Sequence, residues 1–363
     1  MLVPTLWTLG GLMPKRVLLI AAAGLGLAAL VQPAHAQDMT TATFNGTTIW
    51  VGGGVQFLSL PDIRFVGKGT SPTAMHRQKN SDSDWLDAGP AAGGGIETSL
   101  GMWGGARVSG SIKGFWSNVE TDNRSACKSQ TCFLFDPAGN GFTFGPPTLV
   151  THTDRDVDYW GAQAELKFAS GQPTEVKPAI YRNDYFIAGF DVRGIDQDNK
   201  LHGNATGFTY TYKENLDTTY VGGYVGFGGE YSFGFIPGIK NVGGLFDRLG
   251  LRTFVNFKAG LYNADTDYRG NYADNFFSSR LSKSNDDLAF IGTVSLETRK
   301  QIGMRTSLSL WTDYEYISSV PEMRYADTNR PTRISDDDVF ATRTMLRLNI
   351  GFGPSQLYEE PLK

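Results

Sequence analysis

The sequence predicts an all-β fold: an antiparallel up-and-down transmembrane β-barrel of about ten strands, with twelve as the alternative. Three observations predict it. Alternation of apolar and polar residues with period two recurs after Gln37, where helical periodicity is almost absent. Most of the alternating segments run 10–14 residues, longer than the ~5–6 of a globular strand and enough for the ~9–11 of a spanning strand. The connections are unequal in a regular way, short after the even-numbered segments and long after the odd-numbered ones.

Near the N-terminus stand Lys15 and Arg16, followed by an uncharged apolar run Val17–Val31 and by Ala34-His35-Ala36. The run of 15 residues is short of the ~20 of a spanning helix. A basic flank, a short apolar stretch and an A-x-A site together predict a signal peptide over 1–36, with translation starting at Met1 or Met13. The rest divides into a short periplasmic segment 37–46, a barrel over 47–352 and a periplasmic tail 353–363.

Ten strands are expected: Thr47–Leu58, Ala91–Leu100, Gly105–Trp116, Val157–Phe168, Asn183–Gly194, Thr218–Phe233, Leu251–Tyr262, Leu288–Arg299, Arg305–Tyr316 and Val339–Phe352. The fourth is the clearest, with Trp160, Ala162, Ala164, Leu166 and Phe168 alternating with Gly161, Gln163, Glu165 and Lys167. The connections after strands two, four, six and eight hold about 4, 14, 17 and 5 residues; the others hold about 32, 40, 23, 25 and 22. Acidic clusters precede several even-numbered strands, as at Asp154/Asp156/Asp158 and Asp336/Asp337/Asp338, and a Gly–Glu spacing recurs inside them (Gly93–Glu97, Gly161–Glu165, Gly226–Glu230). Repeated hairpins explain this, as does the shared need of each descending strand for a polar interior and an apolar end.

Because hydrocarbon satisfies no backbone group, such strands must close on themselves, apolar side to lipid and polar side to the lumen. The inward set then holds ten bases (Arg107, Lys113, Lys167, Arg193, Arg252, Lys258, Arg299, Arg305, Arg343, Arg347) and seven acids (Glu97, Glu165, Asp191, Glu230, Glu297, Asp313, Glu315). A charge belt toward the short-turn end is expected from Glu97, Arg107, Glu165, Lys167, Glu230, Arg252, Glu297, Arg299, Arg305 and Arg347, with Glu97–Arg107, Glu230–Arg252 and Glu297–Arg305 as cross-hairpin pairs. It reads either as packing of a narrow polar core or as a filter on a conduction path. Aromatic residues near strand ends (Trp50, Trp85, Trp103, Trp116, Tyr159, Trp160, Tyr220, Trp311, Tyr314, Tyr316) suit interfacial belts.

At this point the sequence resembles bacterial outer-membrane β-barrels of the porin-like class and, through its Gly- and aromatic-rich descending strands, is more weakly similar to Legionella-type major outer-membrane proteins. The last strand, with Leu346, Leu348, Ile350 and Phe352, is similar to the C-terminal insertion signal of the class, though eleven residues, Gly353–Lys363, follow it. The resemblance implies a Gram-negative outer-membrane location, insertion by the barrel assembly machinery, contact with outer-membrane lipid and lipopolysaccharide, and a passive transport or surface role.

Chemistry candidates are few. Cys127 and Cys132 in the longest loop are expected to form a disulfide in an oxidising compartment, with no metal and no cofactor implied. Asp265–Gly270 opens like an EF-hand loop, but Arg269 and Phe276 stand where ligands belong. The mature histidines His76, His152 and His202 lie in expected loops. Barrel proteases of the omptin kind share the strand number and need an Asp pair facing an Asp/His pair at the outer rim; His152 with Asp154 is the one near match. No enzymatic activity is expected. The net charge of −4 leaves no large basic excess, which argues against nucleic acid as the main partner. A narrow porin-like channel for small solutes is the expected function. A non-conducting surface barrel, acting through its loops as adhesin, receptor or envelope stabiliser, is the alternative.

Overall fold

The computed structural model describes residues 42–44, 46–71, 74–77, 87–127, 131–135, 141–144, 149–170, 174–177, 180–205, 207–231, 251–325, 332–353 and 355–357. The expected signal peptide, Trp85 and the end of the expected sixth strand lie outside them.

Ten long strands form the wall: β1 Thr47–Leu58, β2 Asp87–Trp103, β3 Ala106–Ala126, β4 Val150–Ser170, β5 Ile180–Ala205, β6 Phe208–Tyr231, β7 Leu251–Asp274, β8 Ser278–Gly303, β9 Thr306–Arg324 and β10 Arg333–Phe352. Each pairs antiparallel with the next, and β10 returns to β1 from Ala341↔Leu58 to Phe352↔Thr47, so the sheet closes. Closure removes the edges that would otherwise offer unpaired backbone to a second chain or to lipid. Ala42–Phe44 pairs with Ser355–Leu357, joining the segment before β1 to the segment after β10. A two-residue turn joins β2 to β3 through Gly104 and Gly105, with φ of 58° and 85°. Two consecutive positive φ values make the type I′ geometry that suits twisted hairpins, and glycine adopts them without a Cβ clash.

The expected strands are present, but most are longer than the sequence predicts, by a few residues at the short-turn end and by more at the long-loop end. The connections expected to hold about 23 and 25 residues after strands five and seven are mostly strand. β5 and β6 stay paired out to Ala205↔Phe208, and β7 and β8 out to Ala273↔Ser278. The extension comes with an exchange of faces. Along lower β7, outward Phe257 and Leu261 are 41% and 60% exposed while Lys258 points inward. Along upper β7 the same outward parity carries Asn263, Asp265, Asp267, Arg269 and Asn271, and the inward parity carries Tyr262, Ala264, Tyr268 and Tyr272, all buried. One strand register thus serves two solvents: apolar-out against hydrocarbon below, polar-out against water above.

The interior is filled. Halfway up, Leu58, Phe115, Val119, Val157, Ile195, Ile291, Ile317 and Val339 belong to one buried cluster. Above it Ile63, Phe65 and Val66, from the segment after β1, pack among Tyr210, Tyr212, Tyr268 and Tyr325. Phe65 stacks on Tyr212 at 5.3 Å and meets Tyr325 edge-on at 4.9 Å. A small four-stranded sheet accompanies this plug, in the order Ala74–Arg77, Gly67–Ser71, Thr131–Phe135, Gly141–Phe144. Cys127 and Cys132 are bonded to each other and buried in the same cluster as Phe65.

Candidate functional site

The lumen charges form two tiers. The upper tier is a clasp between opposite walls. Asp191 and Arg193 come from β5, Tyr159 from β4, Asp313 and Glu315 from β9, and Arg343 from β10. Arg193 binds Asp191 at 2.5 Å and Glu315 at 2.9 Å, and its Nη1 also donates to the Tyr159 hydroxyl at 2.9 Å. Tyr159 in turn donates to Glu315 at 2.7 Å. Arg343 binds Asp313 at 2.8 Å and lies over the Phe115 ring at 3.5 Å. Strands that are not neighbours in the sheet are thereby joined across the bore. Gly189, below the clasp, makes room for Tyr224, since a Cβ there would come within 2.4 Å of its ring.

The lower tier lies nearer the short turns. Glu165 receives Lys113 at 3.2 Å, Lys258 at close range and the Tyr224 hydroxyl at 3.0 Å. Lys167 binds Glu97 at 3.0 Å and reaches Glu165 at 3.9 Å. Arg252 binds Glu230, and Arg299 binds Glu297, each at 2.9 Å.

Two of the three expected hairpin pairs are therefore corrected. Glu97 stands opposite Ser111, and an irregularity at Ser99/Gly101 puts Arg107 opposite Met102, well down the wall. Glu97 takes Lys167 from β4 instead. Arg305 lies exposed in the β8–β9 turn and leaves the belt; Glu297, opposite Trp311, takes Arg299 from its own strand. Glu230 and Arg252 are a diagonal pair, because Glu230 faces Phe254. The aromatic belt also needs correction: Tyr159, Tyr220 and Trp311 are buried inside the barrel.

Above the lipid-facing band a second polar group is buried among the mouth aromatics. Glu214 accepts hydrogen bonds from Tyr325 at 2.6 Å, Asn199 at 3.0 Å and Tyr268 at 3.2 Å. Burial pushes its carboxyl above the usual range, while these hydrogen bonds oppose the shift. Arg155 donates to the Pro61 carbonyl at 2.7 Å, tying the plug to β4, and burial pulls its guanidinium down to about 10. The sequence reading missed Glu214 and Arg155, although Glu214 sits in register with Tyr210 and Tyr212, an alternation visible in the sequence.

Outside, the acidic residues form a contiguous row. Glu120, Asp156 and Asp198 lie side by side on β3, β4 and β5; Asp158, Asp196, Asp217 and Asp267 continue over β4 to β7. Asp156, Asp196 and Asp217 are all raised, chiefly by burial and then by their acidic neighbours. Among the described residues no group of three or more His, Cys, Asp or Glu is arranged to hold a metal ion. Asp265–Gly270 is mid-strand rather than a loop. His152 and His202 stack on each other at 4.9 Å on the outward face, away from the lumen.

No family model and no curated relative matches the chain. Solved structures do. The outer membrane protease OmpT of Escherichia coli is similar at 10% identity and a TM-score of 0.41, over 87% of this chain and 99% of that one. A Pseudomonas aeruginosa FadL homologue is similar at 6% identity and a TM-score of 0.27, over 85% of this chain and 91% of that one. The strand pairings themselves set the fold, an up-and-down antiparallel barrel closed by ten strands. The expectation that the chain is not an enzyme does not stand, because an outer-membrane protease is among the structures similar to it. At this identity the likeness concerns the fold, and the protease activity belongs to that protein.

Proposed function

We propose that the protein is an outer-membrane barrel, closed along its bore, that works at the cell surface and stabilises the envelope rather than passing solutes. The observation that carries this is the succession of fillings across one lumen: the Arg193 clasp, the apolar layer around Val157 and Ile195, and the Phe65 plug. Ten strands are near the number at which side chains alone fill a barrel. The outward acidic row stands where strands leave lipid and meet headgroups, which supports lipopolysaccharide as its surface partner, approached through divalent counterions. Insertion then follows the route of its class, through the barrel assembly machinery.

The porin-like channel has one supporting observation, a cavity of about 230 Å³ in the lower lumen. Conduction through it requires both the clasp and the plug to open. Single-channel recording in planar bilayers separates the two readings. The closed barrel gives no conductance steps, and a variant lacking 59–77 still gives none while the clasp is intact. Regular steps from the folded wild-type chain would overturn the closed reading.

A further inference from the structure

The cavity below the clasp opens toward the short turns, the periplasmic end on the outer-membrane reading above. Six bases line it, against four carboxylates. Four of those bases are taken: Lys113 by Glu165, Lys167 by Glu97, Arg252 by Glu230 and Arg299 by Glu297. Lys258 adds a further positive charge on Glu165. Each carboxylate is thus occupied, and two cations remain.

Those two are Arg107 and Arg347, for which no ion pair forms among the described residues. Arg347 is 6% exposed, and its Nε and Nη2 have no hydrogen-bond partner. Its guanidinium is held between Trp50 and Trp311, 3.9 and 3.1 Å from the ring centroids. Aromatic faces attract a cation but leave its N–H groups without acceptors. Arg107, two residues past the Gly104–Gly105 turn, stands at the entrance. Neutral donors, Ser111, Asn256 and Asn349 among them, line the space between. A concave, low-dielectric wall with surplus positive charge concentrates anions, and a guanidinium matches the fork of a carboxylate or phosphate.

We propose that this vestibule binds a small phosphate-type oxyanion, drawn in past Arg107 and neutralising Arg347. Free phosphate and a phospholipid headgroup share the chemistry. The site does not depend on whether the mouth above it is open.

The test titrates the folded mature barrel in detergent with inorganic phosphate at ionic strength held constant with chloride. The readouts are tryptophan fluorescence, which Trp50 and Trp311 report, and ³¹P NMR line broadening. A saturable response is expected. Arg347→Met should weaken it at least tenfold and Arg107→Gln at least threefold, whereas Lys213→Gln, on the outer face, should leave it unchanged. If Arg347→Met does not fold, Arg107→Gln decides. Repeating the titration in phosphatidylcholine and phosphatidylglycerol vesicles separates the sources. A response kept in both assigns the site to the free ion, and one lost only in phosphatidylglycerol assigns it to a headgroup. No saturation beyond the chloride control, or an Arg107→Gln affinity equal to wild type, overturns the proposal.

Discussion

Replacing Arg193 by Met would test whether the middle of the lumen is dry. Arg193 is 2% exposed, and its carboxylate partners Asp191 and Glu315 are 0% and 4% exposed. Met keeps much of the volume and removes the charge. Asp191 would keep hydrogen bonds from Gln163 at 3.0 Å and Tyr262 at 3.2 Å, and Glu315 its bond from Tyr159 at 2.7 Å. Neither would keep the guanidinium that offsets its desolvation; Arg343 stands 3.7 Å from Glu315, too far for a good charge-assisted bond. Breaking a buried pair from one side costs about 3–5 kcal/mol. If the bore were water-filled, the same change would be screened and cost under about 1 kcal/mol. Urea unfolding of the barrel in lipid vesicles, followed by tryptophan fluorescence, measures the difference. The companion variant Arg193→Met/Glu315→Gln should recover part of the loss, since it removes one uncompensated charge. A single-variant loss below about 1 kcal/mol, with no recovery in the double variant, would refute the closed lumen.

Two further predictions test the walls. Leu261 and Asp267 lie on one face of β7, six residues and roughly 20 Å apart. Leu261→Lys should destabilise the vesicle-inserted barrel by up to about 2–4 kcal/mol, whereas Asp267→Lys, in the acidic row opposite Asp217, should be neutral or mildly stabilising, as read by the same urea titration. The second concerns pH. Asp156, Asp196 and Asp217 hold their protons more tightly folded than unfolded, so their favourable contribution is complete below the ordinary carboxyl range and is lost as pH rises through their raised values. Amide exchange of the upper β4–β6 strands at low salt should therefore be slower near pH 4.5 than at pH 7, after correction for intrinsic rates, and added salt should shrink the gap.

The wall of the barrel was legible in the sequence because lipid imposes a simple rule on every spanning strand. Trp160 to Phe168 shows it plainly, and the spanning parts of all ten strands follow from it. The upper strands escaped because their outward residues turn acidic at Asp196, Asp217 and Asp265, where the rule for lipid stops. Their own signal was inward and aromatic, at Tyr210 and Tyr212 and at Tyr268 and Tyr272. The lumen pairs were half legible. Facing register placed Glu230 near Arg252, but the Ser99/Gly101 irregularity removed Arg107 from Glu97. Contacts across the bore, such as Arg193 with Glu315, join strands that are distant in both sequence and sheet. Local spacing holds no information about them; closure creates them.

The face exchange along β7 is best measured by spin labels at outward positions 257, 261, 265, 267 and 269, one at a time, in vesicles. Oxygen, which concentrates in hydrocarbon, should relax the labels at 257 and 261 most, and a water-soluble nickel chelate should relax those at 265, 267 and 269. A uniform preference for the chelate along the whole strand would contradict a lipid-facing lower wall.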